Sequence, residues 1–144
     1  MKNVHKMAIL GYSAEKMYGL VADVEKYPEF LPWCSKTGLE HDSSNHAALV
    51  TLYIDFHGLK QHFTTRNHNQ PSQSITMQLE EGPFSHLDGK WTFTPLTENR
   101  SRIDLTMNYE FSNSLFEKLL APVFDMVSFT LVDSFRQRAK TVYG

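Results

Sequence analysis

The chain has 144 residues, with 14 Lys and Arg against 16 Asp and Glu, a formal net charge of −2 and a hydrophobic fraction of 41%. That length fits one domain, residues 1–144, with one good core; the composition excludes a disordered or membrane-spanning chain, and the charge balance gives no pull toward DNA or a broad RNA surface. A single cysteine, Cys34, excludes an internal disulfide framework and fits a reducing compartment, and with no signal-peptide pattern in the first ten residues the expectation is a cytoplasmic protein.

Residues 3–10 read as a strand with weak alternation. Ser13 stands where an N-cap belongs, Glu15 suits the first turn of a helix dipole, and the helix to about Ala22 carries Met17, Leu20 and Val21 on one face. Asp23 is placed to cap a second, short helical turn, which Pro28 and Pro32 end. The run from Asp23 to Cys34 packs Tyr27, Phe30, Leu31 and Trp33 around those two prolines. It is too short to build a core alone, so it must lean on another element, as the wall or lid of an apolar space.

Strands follow. Residues 48–56 place Val50, Leu52, Ile54 and Phe56 on one parity, and Gly58 marks a turn. Residues 60–68 set Phe63 and Thr65 against His62, Thr64, Arg66 and His68. Residues 74–80 alternate, with Ile75, Met77 and Leu79 on the apolar side. Glu81-Gly82-Pro83-Phe84 precedes a strand over 86–95 that carries Leu87, Gly89, Trp91 and Phe93 on one side. Residues 101–111 carry Ile103, Leu105, Met107, Tyr109 and Phe111. Period-2 alternation of this kind predicts an antiparallel sheet with one buried and one wet face.

The last segment is helical over about 28 residues. Ser114 and Glu117 have capping-box spacing, and Phe116, Leu119, Leu120, Val123, Phe124, Val127, Leu131 and Phe135 recur at the helical period. Pro122 lies inside and predicts a kink or a break. Together these elements make an α+β fold: an antiparallel sheet of six or seven strands, two short helices after the first strand, and a long C-terminal helix burying its stripe on the sheet. The space between sheet and helix is a natural cavity.

Little in the chain points to bond-breaking chemistry. Seven histidines include His41 and His46 around the polar turn 42–45, and His57 and His62 around Gly58, but no HExxH or Cys-His spacing exists, so no metal is expected. Asp55 and His57 could pair as an oriented base, yet they fall on the polar parity. No serine or cysteine sits in a nucleophile motif. The stripe His62, Thr64, Arg66, His68 reads as a solvated face, with contact to RNA phosphates as the alternative. Arg136, Arg138 and Lys140 suit the negative end of the helix dipole.

Several uncommon words occur in order: Tyr12-Ser-Ala-Glu15, Leu20-Val-Ala-Asp-Val24, Tyr27-Pro-Glu-Phe-Leu-Pro-Trp-Cys34, Glu81-Gly-Pro-Phe84, the run from Leu87 to Leu96, Tyr109-Glu-Phe111, Phe135-Arg-Gln-Arg-Ala139 and Val142-Tyr-Gly144. With them the chain resembles, over nearly its whole length, the coenzyme Q-binding and ribosome association toxin family of the polyketide cyclase and START-like superfamily. Pro122 departs from the helix-compatible residue expected there. The resemblance implies the helix-grip fold, in which a curved sheet wraps a long C-terminal helix. It implies a non-enzymatic protein with no cofactor that binds a hydrophobic molecule, a ubiquinone or related lipid, in support of respiration. The alternative it implies is a toxin that binds the large ribosomal subunit and blocks subunit association; a cyclase-like enzyme ranks third. Peripheral contact with the inner membrane is a further expectation. The expected ligand-binding residues are Tyr27, Phe30, Leu31, Trp33, Phe63, Met77, Leu79, Phe84, Trp91, Phe93, Met107, Tyr109, Phe124 and Val127, with Tyr27, Tyr109 and Thr65 as partners for a polar head group.

Overall fold

A computed structural model describes residues 1–42 and 47–144; His46 and most of the turn at 42–45 lie outside the described residues. The chain runs β1 (Lys2–Leu10), α1 (Ala14–Ala22), a 3-10 helix (Val24–Glu29), β2 (Cys34–Asp42), β3 (Ala47–Phe56), β4 (Leu59–Gln70), β5 (Ser74–Glu81), β6 (Phe84–Thr97), β7 (Arg100–Phe111) and α2 (Ser114–Tyr143). All seven strands join one antiparallel sheet in the order β1-β7-β6-β5-β4-β3-β2. Strands β2 to β7 form a meander, and β1 closes on β7 with Val4 opposite Met107 and Leu10 opposite Ser101.

The expected alternation sets the two faces. On β7, Ile103, Leu105, Met107 and Tyr109 are buried, while Thr106 and Glu110 face water. On β6, Leu87, Trp91 and Phe93 do the same. The β3–β4 hairpin turns at His57 and Gly58, with φ of 51° and 81°, the signature of a two-residue turn that matches strand twist. His57 is therefore a turn residue rather than a neighbour of Asp55 on a strand face.

Helix α2 lies across the buried face. Phe124, Val127, Val132, Phe135 and Ala139 turn inward, and Phe135 packs edge-on against Trp91 at 5.3 Å between ring centroids. Helix α1 caps one end, where Tyr18 meets Phe93 at 5.6 Å. Ser13 caps α1 as expected, accepting from the Lys16 N–H at 3.1 Å.

One strand is not anticipated from the sequence, and several expectations need correction. Strand β2 had no apolar alternation to announce it. Asp23 makes no side-chain cap to the 3-10 helix. Asn113, rather than Ser114, caps α2, accepting from the Phe116 N–H at 2.9 Å. Helix α2 also runs unbroken through Pro122. Pro122 and Lys118 both face solvent, so water can satisfy the Lys118 carbonyl that a proline four residues on leaves without its helical donor. Leu119, counted in the apolar stripe, is 51% exposed; Ser128 and Val132 take the inner positions instead.

Candidate functional site

Two neighbouring cavities lie on the inner face of the sheet, the first beneath α2 and the second beneath the end of α1 and the 3-10 helix. One, of about 60 Å³, is lined by Trp33, Phe63, Met107, Phe124, Val127 and Leu131 among others. A second, of about 70 Å³, reaches toward Ala22, Leu39, Ile75 and Trp91. They share Val24, Tyr27, Val50, Asn67 and Met77 as walls. Neither alone matches the roughly 150 Å³ of an apolar cavity that holds benzene. Joined by a swing of the flexible Met77 side chain, the two approach it.

The structure brings together most of the residues expected from sequence. Tyr27, Trp33, Phe63, Met77, Met107, Phe124 and Val127 line the first cavity. Trp91 lines the second. Phe84 stands at a smaller gap of about 10 Å³ beside Phe63, Phe111 and Phe124. Five lie away from these walls. Leu31 is fully buried in the core; Phe30 packs on Phe135 and under Arg138; Phe93 lies beneath Tyr18; Leu79 is half-buried; and Tyr109 packs on Phe124 at 4.6 Å.

The polar atoms of the site are few. Thr65 donates its hydroxyl to Asn67 Oδ1 at 2.6 Å, and both side chains are buried. Asn67 therefore keeps its amide N–H groups for another partner. Sequence reasoning missed it, although the inward parity of Phe63 and Thr65 continues to Asn67 on β4. Tyr27 gives its hydroxyl to the Val21 carbonyl. Burial, with smaller pushes from Cys34 and Asp23, holds its phenol far above the ordinary range, so it stays neutral. Asp88, whose backbone borders the cavity, turns its carboxylate outward to His86 at 2.6 Å and Asn108 at 2.9 Å. Among the described residues no group of three His, Cys, Asp or Glu side chains could hold a metal ion.

Gly89 bounds the same space. A Cβ there would stand 2.7 Å from Met77 Cε and 3.2 Å from the Thr106 carbonyl, so the missing side chain is what admits Met77. At the far end, Arg138 joins α2 to the 3-10 helix: it donates to Glu29 at 3.0 Å and lies 4.9 Å over the Phe30 ring. That contact replaces the dipole role expected for Arg138, and its hydrogen bond holds the Glu29 carboxyl below the usual range.

Comparison with known proteins follows the same lines. Residues 10–136 match the family described as polyketide cyclase / dehydrase and lipid transport. The chain is 40% identical over 144 residues to the ribosome association toxin RatA of Vibrio cholerae, covering 100% of this chain and 99% of that one. It is 28% identical to a mitochondrial coenzyme Q-binding protein homologue of Xenopus laevis, covering 94% of this chain and 57% of that one. Among solved structures, the Zhui aromatase/cyclase of a Streptomyces species superposes with a TM-score of 0.83 at 19% identity, covering 96% of this chain and 93% of that one. At that identity the likeness shows the fold alone, a START-like helix-grip. Among the described residues, no helix is long and apolar enough to cross a membrane.

Proposed function

The chain belongs to the polyketide cyclase / dehydrase and lipid transport family, in the branch of the ribosome association toxins and coenzyme Q-binding proteins, and on that footing we propose that it is a non-enzymatic binder of a hydrophobic ring-bearing ligand, an isoprenoid quinone or related lipid, held between the sheet and α2. The observation that carries this reading is the buried Thr65–Asn67 pair set in otherwise apolar walls. Thr65 fixes the amide so that Asn67 presents donors, and a quinone oxygen is an acceptor. The ring and the start of its tail would be held by apolar burial, at roughly 25 cal/mol per Å². Met77 and Met107 are the soft side chains that can yield to admit them.

The same walls argue against catalysis. Tyr27, the phenol that lines the cavity, is neutral and donates to a backbone carbonyl, and the carboxylate of Asp88 points to the outer face. The first cavity, where a cyclase would need a general base, has none facing it among the described residues, and His41, which lines the second, is exposed to solvent. Lipid extraction of purified protein followed by mass spectrometry tests the reading. A quinone or lipid recovered from the wild type and depleted in Asn67→Leu is the expected result. A folded protein that carries none, and takes none up from quinone-loaded vesicles, would refute it.

A second reading has its own support. The likeness to the Vibrio cholerae toxin runs end to end, and separate inner cavities of only about 60 and 70 Å³ suit a protein that works through its surface. On this reading the protein associates with the large ribosomal subunit and blocks joining. Sucrose-gradient profiles with added protein decide it: co-sedimentation with that subunit and fewer joined ribosomes are expected, and unchanged profiles would remove it.

A further inference from the structure

We propose that the outer face of the sheet, on the side away from α2, carries a site for an unpaired nucleotide of RNA, built on Tyr53 and flanked by Lys36, Lys60 and His62. The starting observation is a groove of about 370 Å³ at the β2–β3–β4 end, much larger than either inner cavity. It is lined by Ser35, Lys36, Tyr53, Asp55, Lys60 and His62 among others. Lys36, Tyr53 and His62 form one straight row across three strands, since Lys36 pairs with Tyr53 and Tyr53 with His62. Side chains in such a row stand on the same face about 5 Å apart, which makes a flat platform.

The platform has the chemistry of a stacked base beside a phosphate. The Tyr53 ring is half-exposed, with the His62 ring 5.4 Å away at 33° and the Lys36 ammonium 4.5 Å over its centroid. A base settling on Tyr53 would replace the Lys36 cation over the ring and free it for the adjoining phosphate. Lys60, opposite Asp55 and two residues from His62 on β4, brings a second ammonium to the same groove. Aromatic rings interleaved with cations suit single strands, whose bases are free to stack, and folded RNA offers such bases in its loops. An acidic peptide would use the two lysines and leave the ring platform without a role. The formal charge of −2 describes the whole chain and does not bear on this end of the sheet.

The inference rests on the ribosome-association reading for its setting and is independent of the inner cavity. The test uses fluorescence anisotropy of a labelled single-stranded RNA decamer with the full chain, at several salt concentrations, with circular dichroism to check each fold. The wild type should bind. Tyr53→Ala should weaken binding about tenfold or more, and Tyr53→Phe should retain it. The pair Lys36→Gln and Lys60→Gln should lower the slope of log K against log salt by roughly 1.4, at about 0.7 for each phosphate no longer neutralised. No binding at 50 mM salt, or binding that Tyr53→Ala and the lysine pair leave unchanged, would overturn the site. Ribosome sedimentation of the same variants separates the two ideas. Decamer binding without co-sedimentation keeps the site and removes the ribosome; co-sedimentation untouched by the Tyr53 and lysine variants removes the site and keeps the ribosome.

Discussion

The Tyr109 hydroxyl donates to Asp125 Oδ1 at 2.5 Å, and this bond ties β7 to the middle of α2. Tyr109 is 1% exposed and its ring packs on Phe124, one residue before its partner. Asp125 is itself reached by Lys2 at 3.8 Å, so the tie extends to β1. Tyr109→Phe keeps the ring and deletes the bond. Urea unfolding should show a loss of about 1–2 kcal/mol, as expected for a partly buried bond to a charged group. A double-mutant cycle with Asp125→Asn should give a coupling of similar size, and additive effects would mean that the bond contributes nothing.

The two buried phenols give the protein an alkaline limit. Burial raises Tyr27, and burial with the Asp125 hydrogen bond raises Tyr109, both far above the ordinary value near 10. Below pH 10 both are neutral in the folded and unfolded chain, so their contribution is fully present. Above pH 10 the unfolded chain loses these protons and the folded one keeps them, so stability falls as pH rises, by about 1.4 kcal/mol per pH unit for each phenol. Unfolding free energies measured from pH 8 to 11 should bend downward near pH 10, and Tyr27→Phe should soften that bend. A flat profile would contradict it.

Gly82 sits at φ 155°, and a Cβ there would lie 2.7 Å from Phe63 Cβ and 3.4 Å from its Cα. The neighbour that would have to move is backbone on β4 as well as a side chain, and Phe63 walls the inner cavity. Gly82→Ala should therefore cost on the order of 2–3 kcal/mol, with a matching drop in thermal midpoint. Retained stability would show that β4 yields more easily than the packing implies.

Cys34 is buried, gives its Sγ hydrogen to the Lys36 carbonyl at 3.5 Å, and has its thiol pushed up to about 11 by burial. Little thiolate exists at pH 8, and access is poor. Ellman's reagent should label the native protein slowly at pH 8, and the urea-unfolded chain within seconds to minutes. Equal rates would place the thiol at the surface.

The fold was legible wherever one face of an element is apolar and the other is not. Strands β5, β6 and β7 alternate because each has core on one side and water on the other, and the α2 stripe around Phe124, Val127 and Phe135 shows the same logic at the helical period. Strand β2 escaped because it pairs with β3 alone at a sheet edge and spends its inward positions on Thr37, Leu39 and His41, which make no pattern. Leu119 misled because periodicity reports spacing and not which face of a helix has a partner. The site was legible as a set of inward aromatics, but its volume was not. That volume depends on where Met77 rests, which depends on Gly89 lacking a side chain, a contact between strands 12 residues apart in the chain. Asn67 was within reach of the alternation and was lost because an inward amide does not look like core.

The closing of β1 on β7 also sets an order of events during synthesis. His5 meets Asp104 at 2.9 Å across 99 positions of chain, and β7 is the strand on which β1 depends for its pairing. At about 5–20 residues per second, the first strand made waits roughly 5–20 s for its mate to leave the ribosome. Throughout that interval Val4 and Leu10, both buried in the finished sheet, have nowhere to go. The meander from β2 to β7 can assemble hairpin by hairpin as it emerges, so of the seven strands β1 is the last to find its partner.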